Sequence, residues 1–175
     1  MTPLGTPVLD GFYTGFINPF LVPAHVLVLV GLGLMIGRQS SRLIAFTAFA
    51  AGLAAGLVAL AHAVGQTSAP MALLVGAVAV GLITAAGVPL PLVVGAPLAA
   101  AIGMAVGLDS PPQATSLRAA YAALVGTGVG AALLVGTITM VAGRMTRPWQ
   151  RIGVRLLGSW VAASALMVLA LRLVR

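Results

Sequence analysis

The chain alternates long apolar runs with short breaks rich in glycine, proline and polar residues. About 20 apolar residues span a hydrocarbon core, and fewer suffice where a helix is broken or packed inside a bundle. On that measure the first span is 19–36, closed by Gly37-Arg38-Gln39-Ser40-Ser41-Arg42, and the second is 43–64, closed by Gly65-Gln66-Thr67-Ser68. The third, 70–86, opens on Pro70, where a first-turn proline gives up no hydrogen bond. Gly87-Val88-Pro89-Leu90-Pro91 then predicts a very tight connection to a short fourth span, 92–106, which carries Pro97. The fifth, 117–142, follows a polar break over 108–116, and the sixth is 149–173. The pattern predicts an all-α integral membrane bundle of about six transmembrane helices. It forms one domain over 1–175, with the first and fourth helices broken by prolines.

Composition chooses the solvent. The chain is 61% hydrophobic and 6% charged, with a mean hydropathy of +1.15, whereas soluble domains carry roughly 25% charged residues. A soluble fold of 175 residues leaves too much area exposed to hide so much apolar surface. The net charge of +7 comes from arginines at the ends of apolar runs. A nucleic-acid surface needs cations clustered along one face, so no nucleic-acid partner is expected. With no cysteine there is no disulfide framework or thiolate metal site. Residues 1–10 lack a basic segment before the first apolar run, so no cleavable signal peptide is expected.

The same arginines orient the spans. Arg38 and Arg42 lie in the first connection; Arg144, Arg147 and Arg151 lie in the fifth. Four spans separate the two connections, so both fall on one side, and the positive-inside rule makes that side the cytoplasm. The expectation is a multi-pass protein of the bacterial inner (plasma) membrane with both termini periplasmic. Arg172 and Arg175 vote mildly against this and are outnumbered. Phe12, Tyr13, Phe16 and Phe20 suit an outer interfacial belt and Trp149 an inner one.

Gly33/Gly37, Gly52/Gly56, Gly103/Gly107 and Gly126/Gly130 are small-xxx-small pairs. Without a hydrophobic drive between helices in lipid, such pairs allow the close backbone approach that dispersion needs. They are read as packing within the chain, with a homo-oligomer face as the lesser reading.

The inventory of reactive groups is small: two histidines, Asp10, Asp109, no glutamate and no lysine. No carboxylate pair, serine triad or phosphate loop can be assembled from it, so the chain is not read as an enzyme. His25 and His62 remain, placed at similar depth in the outer halves of the first two spans. Imidazole suits nickel, zinc and copper, and Asn18 and Asp109 are additional oxygen ligands within reach. The plainer reading has His25 capping carbonyls freed by Pro19 and Pro23, with His62 wetted at the interface. On the residues alone both readings stay open. Near such a site, half-helix ends at Pro19/Pro23 and at Pro97 would expose carbonyls toward a path.

Asn18-Pro19-Phe20-Leu21-Val22-Pro23-Ala24-His25, followed by Leu27, Leu29, Gly31 and Gly33, resembles the first-helix signature H-x5-D-H of the HupE/UreJ family. These are hydrogenase and urease accessory membrane proteins regarded as nickel permeases. The family's second signature, H-G-x-A-H-G-x-E, is similar to Ile102-Gly103-Met104-Ala105-Val106-Gly107-Leu108-Asp109. The stretch from Arg151 to Arg155 with Gly158-Ser159-Trp160 resembles the family's last helix. In these frames the ligand-type positions have become Asn18, Ala24, Ile102 and Val106, the acid is shortened to Asp109, and His25 alone is unchanged. His62 has no counterpart in either signature.

The resemblance implies an inner-membrane protein moving Ni2+ or another divalent cation toward urease or hydrogenase maturation. Its metal residues would be His25, Asn18, His62 and Asp109, and the cation would be cargo rather than a cofactor. The alternative is a non-transporting structural or interaction subunit of a membrane complex, keeping the fold without the metal site. Its partners would be the bilayer together with other membrane subunits or a second copy.

Overall fold

A computed structural model describes residues 7–62, 69–88, 90–112, 114 and 116–173. Among them the chain is all α-helix: α1 Pro7–Leu21, α2 Pro23–Gly37, α3 Arg42–Ala61, α4 Ala69–Ala86, α5 Leu92–Leu108, α6 Leu117–Arg144 and α7 Pro148–Leu173. The expected second break, Gly65 to Ser68, and Pro89 of the tight connection lie outside the described residues. Three helices (α3, α6 and α7) are each long and apolar enough to cross a membrane, and the bent pair α1–α2 makes a fourth candidate; α4 and α5 are apolar but shorter.

The first span differs most from expectation. Helix begins at Pro7, not Pro19, and it breaks at Val22, where α2 leaves α1 at 74°. Pro23 is the cause: it cannot donate to the preceding turn, and it holds Val22 in an extended conformation at φ −88°, ψ 112°. Pro19, by contrast, lies inside an unbroken α1. Its missing N–H frees the carbonyl of Gly15, and that carbonyl accepts a hydrogen bond from Thr127 Oγ1 of α6 at 3.1 Å. A neighbouring helix thus re-satisfies the backbone, as lipid requires.

The fourth expected span carries a correction. α5 runs unbroken through Pro97. That proline sits near the N-terminal end and points outward, so it forfeits one hydrogen bond and forces no break. The tight connection before α5 is as expected: Gly87, at φ +70°, takes the left-handed turn that closes α4.

Glycine faces set the packing. A Cβ built on Gly52 or Gly56 of α3 would strike Ala100 or Met104 of α5; one on Gly103 or Gly107 of α5 would strike the backbone near Phe49 or Leu53 of α3. The two pairs therefore face each other within the chain. Gly126 and Gly130 of α6 seat the carbonyls of Phe12 and Phe16, while Gly11 and Gly15 of α1 seat Ala119 and Ala123. Gly33 and Gly37 of α2 lie against α6 around Val135–Gly143. The bent pair thus follows α6 in two successive stretches.

These contacts also fix directions. Partner numbers rise together for α2 with α6 (Gly33 at Ile138, Gly37 at Ala142), for α2 with α4, and for α3 with α5, so those pairs are parallel. α4 and α7 are antiparallel, Gly81 meeting Ala162 and Gly158 meeting Ala85. The interior between α2 and its neighbours is built on Val28, Leu29, Leu32, Ile36, Phe49 and Val106. Leu43, Val93, Leu133, Trp160 and Met167 point outward. Helices apolar on every face are suited to lipid.

Candidate functional site

His25 is the third residue of α2 and Asp109 caps the C-terminal end of α5. Because α2 and α5 run in opposite directions, the start of one meets the end of the other. His25 Nε2 lies 3.1 Å from Asp109 Oδ2. The imidazole is fully buried, whereas the carboxylate is 19% exposed. With the carboxylate oxygen accepting, Nε2 is the donor. Nδ1 is buried and has no hydrogen-bond partner among the described residues. A buried polar atom left this way costs about 1–3 kcal/mol, a cost usually kept for a purpose. The carboxylate also stands by the first turn of α2, whose outward N–H groups favour negative charge.

The spacing suits a cation. Two donors bound at about 2.0–2.1 Å in adjacent positions around a divalent ion stand roughly 3 Å apart. His25 Nε2 and Asp109 Oδ2 stand at about that separation.

Beside the pair, Ser110 is buried, its hydroxyl donating to Val106 O at 2.7 Å. It lines a cavity of about 140 Å³ whose other walls include Thr14 and Asn18 of α1, Pro111, Pro112 and Thr127 of α6. Asn18 therefore shares this space with Ser110, the neighbour of Asp109, and makes no hydrogen bond to the pair. Thr14, Ser110 and Thr127 add hydroxyls to that space.

His62 is placed elsewhere, which corrects its grouping with His25. It caps the C-terminal end of α3 and is exposed. Among the described residues, no three of His, Cys, Asp and Glu converge. The expectation paired the first two spans because they are consecutive in the chain. α3 touches α2 only slightly.

The frame that holds this pair, a proline-broken first span and a glycine-paired α5 ending in an acid, extends across the chain. The family model described as HupE / UreJ protein matches residues 4–168. The chain belongs to the HupE/UreJ family. No curated protein and no solved structure matches it. HupE/UreJ membership makes this a membrane protein of an accessory family related to nickel and cobalt transport. The family is not one of enzymes. Ile102 and Val106 carry no donor and are packed in the interior.

Proposed function

We propose that the protein moves a divalent first-row cation, nickel or cobalt, across the bacterial inner membrane to supply urease or hydrogenase maturation. The observation that carries this reading is the buried His25–Asp109 pair with an unpartnered ring nitrogen. Imidazole with carboxylate is a serviceable donor set for nickel. Two protein ligands bind weakly enough to release, and a passing ion must leave as well as enter. Thr14, Asn18, Ser110 and Thr127 hold waters that complete the ion's shell.

The helix directions support six crossings, with α1 and α2 together forming the first. α2, α4 and α6 then run one way and α3, α5 and α7 the other. Under the positive-inside rule, the end bearing Arg38, Arg42 and Arg151 is cytoplasmic, His25 and Asp109 face the periplasmic side, and both termini are periplasmic. The test is 63Ni uptake by proteoliposomes of the purified protein, together with urease or hydrogenase activity in a deletion strain at limiting nickel. Uptake lost in Asp109→Asn supports the reading; uptake equal to empty liposomes in the unaltered protein overturns it.

The scarcity of donors favours one other reading, a subunit that keeps the fold inside a membrane complex. It requires a detergent-stable partner at native expression, and a lone monomer excludes it.

A further inference from the structure

At the end of the bundle away from His25, five helix ends enclose a second cavity of about 330 Å³. Gly37, Gly87 and Gly143 open part of its wall, and Arg38, Arg42 and Arg151 supply its charge. The chain's two acids lie far off. Asp109 is at the start of α2, about 20 Å away along that helix. Asp10 is in the first turn of α1, next to Gly11, which packs on Ala119 at the opposite end of α6.

Capping of helix ends explains part of this cluster. Arg42 Nε donates to Gln39 O at 3.3 Å, and Arg155 Nε, beside Gly87, donates to Ala85 O at 2.8 Å. It does not explain Arg38, whose Nη1 is buried without a partner among the described residues. Three arginines line one open space with no acid beside them, and such a cluster calls for an anion with several acceptor oxygens. Phosphate fits that geometry.

Arg42 also lines a neighbouring groove of about 400 Å³, walled by Leu43 and Phe46 of α3 and by Gly136, Thr139 and Met140 of α6. This groove is apolar and opens on the outer face of the bundle. A charged cavity at a helix end, joined through one arginine to an apolar channel along the helices, matches a molecule with a phosphate at one end and a hydrocarbon chain behind it.

We propose that this end of the bundle is a binding site for an anionic phospholipid. Its phosphodiester is held by Arg38, Arg42 and Arg151, and one acyl chain lies in the α3–α6 groove. Basic pockets between transmembrane helices recognise lipid head groups in this way.

The experiment is native mass spectrometry and thermal melting of the purified full chain with phosphatidylglycerol, phosphatidylcholine or inorganic phosphate. Phosphatidylglycerol is expected to be retained and to raise Tm, while phosphatidylcholine and phosphate do neither. Arg151→Gln, at an exposed position where folding is spared, should weaken phosphatidylglycerol retention about fivefold, and Arg38→Gln at least as much. Gly136→Leu should block the groove and reduce lipid retention. Arg172→Gln, at the far end of α7, should change nothing. Equal retention of the two lipids, or Arg151→Gln without effect, overturns the site. Stabilisation by inorganic phosphate alone, unaffected by Gly136→Leu, overturns the lipid and leaves a soluble-anion pocket.

Discussion

His25 and Asp109 stand 84 residues apart in the chain and 3.1 Å apart in the fold. Antiparallel passage of α2 and α5 brings them together, and no third strong ligand joins them among the described residues. Each should therefore matter separately. His25→Ala and Asp109→Asn are both expected to abolish nickel uptake, while Asn18→Ala, which removes only a contact to a hydrated ion, should lower it partially. His62→Ala should leave uptake intact. Uptake assays with all four variants check this, and strong loss in His62→Ala would place the site elsewhere.

Pro19 and Thr127 form a second relationship with a measurable consequence. The proline leaves the Gly15 carbonyl without its helical partner, and Thr127 Oγ1 supplies the replacement at 3.1 Å. Thr127→Val should destabilise the fold by about 1 kcal/mol, within the range of interhelical hydrogen bonds in membranes. Thr139 makes a similar bond to Gly33 O at 3.3 Å, but that carbonyl lies in an uninterrupted helix and keeps its own i+4 donor. Thr139→Val should cost less. Melting in one detergent decides the order.

The apolar helices were legible because apolar length is a strong signal. α1 was less visible. Asp10, Thr14 and Asn18 interrupt its apolar character, and its glycine face makes sense only against Gly126 and Gly130 of α6, more than a hundred residues away. The site divided likewise. Asp109 could be placed on the same side as His25 by counting spans, but His62 was grouped with them because adjacent spans were taken as packed neighbours. His62 is instead exposed beyond the end of α3, and no three such ligands converge among the described residues. Arg38 and Arg42 were legible as orientation signals only; the cavity they line depends on how five helix ends come together.

The glycine pairs predict a contrast between two substitutions of the same kind. A Cβ on Gly103 meets Leu53 N at 2.8 Å, with the Phe49 carbonyl closer still, whereas one on Gly153 meets nothing within 4 Å. Gly103→Ala must therefore push backbone against backbone, at a cost of about 1–3 kcal/mol or more. Gly153→Ala should be neutral or stabilise by up to about 1 kcal/mol, because alanine is the better helix former. Thermal melting of both variants tests the packing directly, and equal behaviour would argue against a close α3–α5 contact.

Because the natural chain has no cysteine, single cysteines report topology without background. Ser40 between α2 and α3, Thr146 between α6 and α7, and Ala114 between α5 and α6 are all exposed. With the arginine-rich end in the cytoplasm, Ala114→Cys should react with a membrane-impermeant maleimide added to intact spheroplasts. Ser40→Cys and Thr146→Cys should react only after permeabilisation. The parity of α2 through α6 ties these outcomes together: Ser40 and Thr146 must behave alike whichever way the protein is inserted. Labelling of all three from outside, or of Ser40 without Thr146, is incompatible with four crossings between those connections. A full reversal, with Ser40 and Thr146 labelled and Ala114 protected, would keep the six-span bundle and turn it over. The His25–Asp109 pair would then face the cytoplasm and receive the ion last.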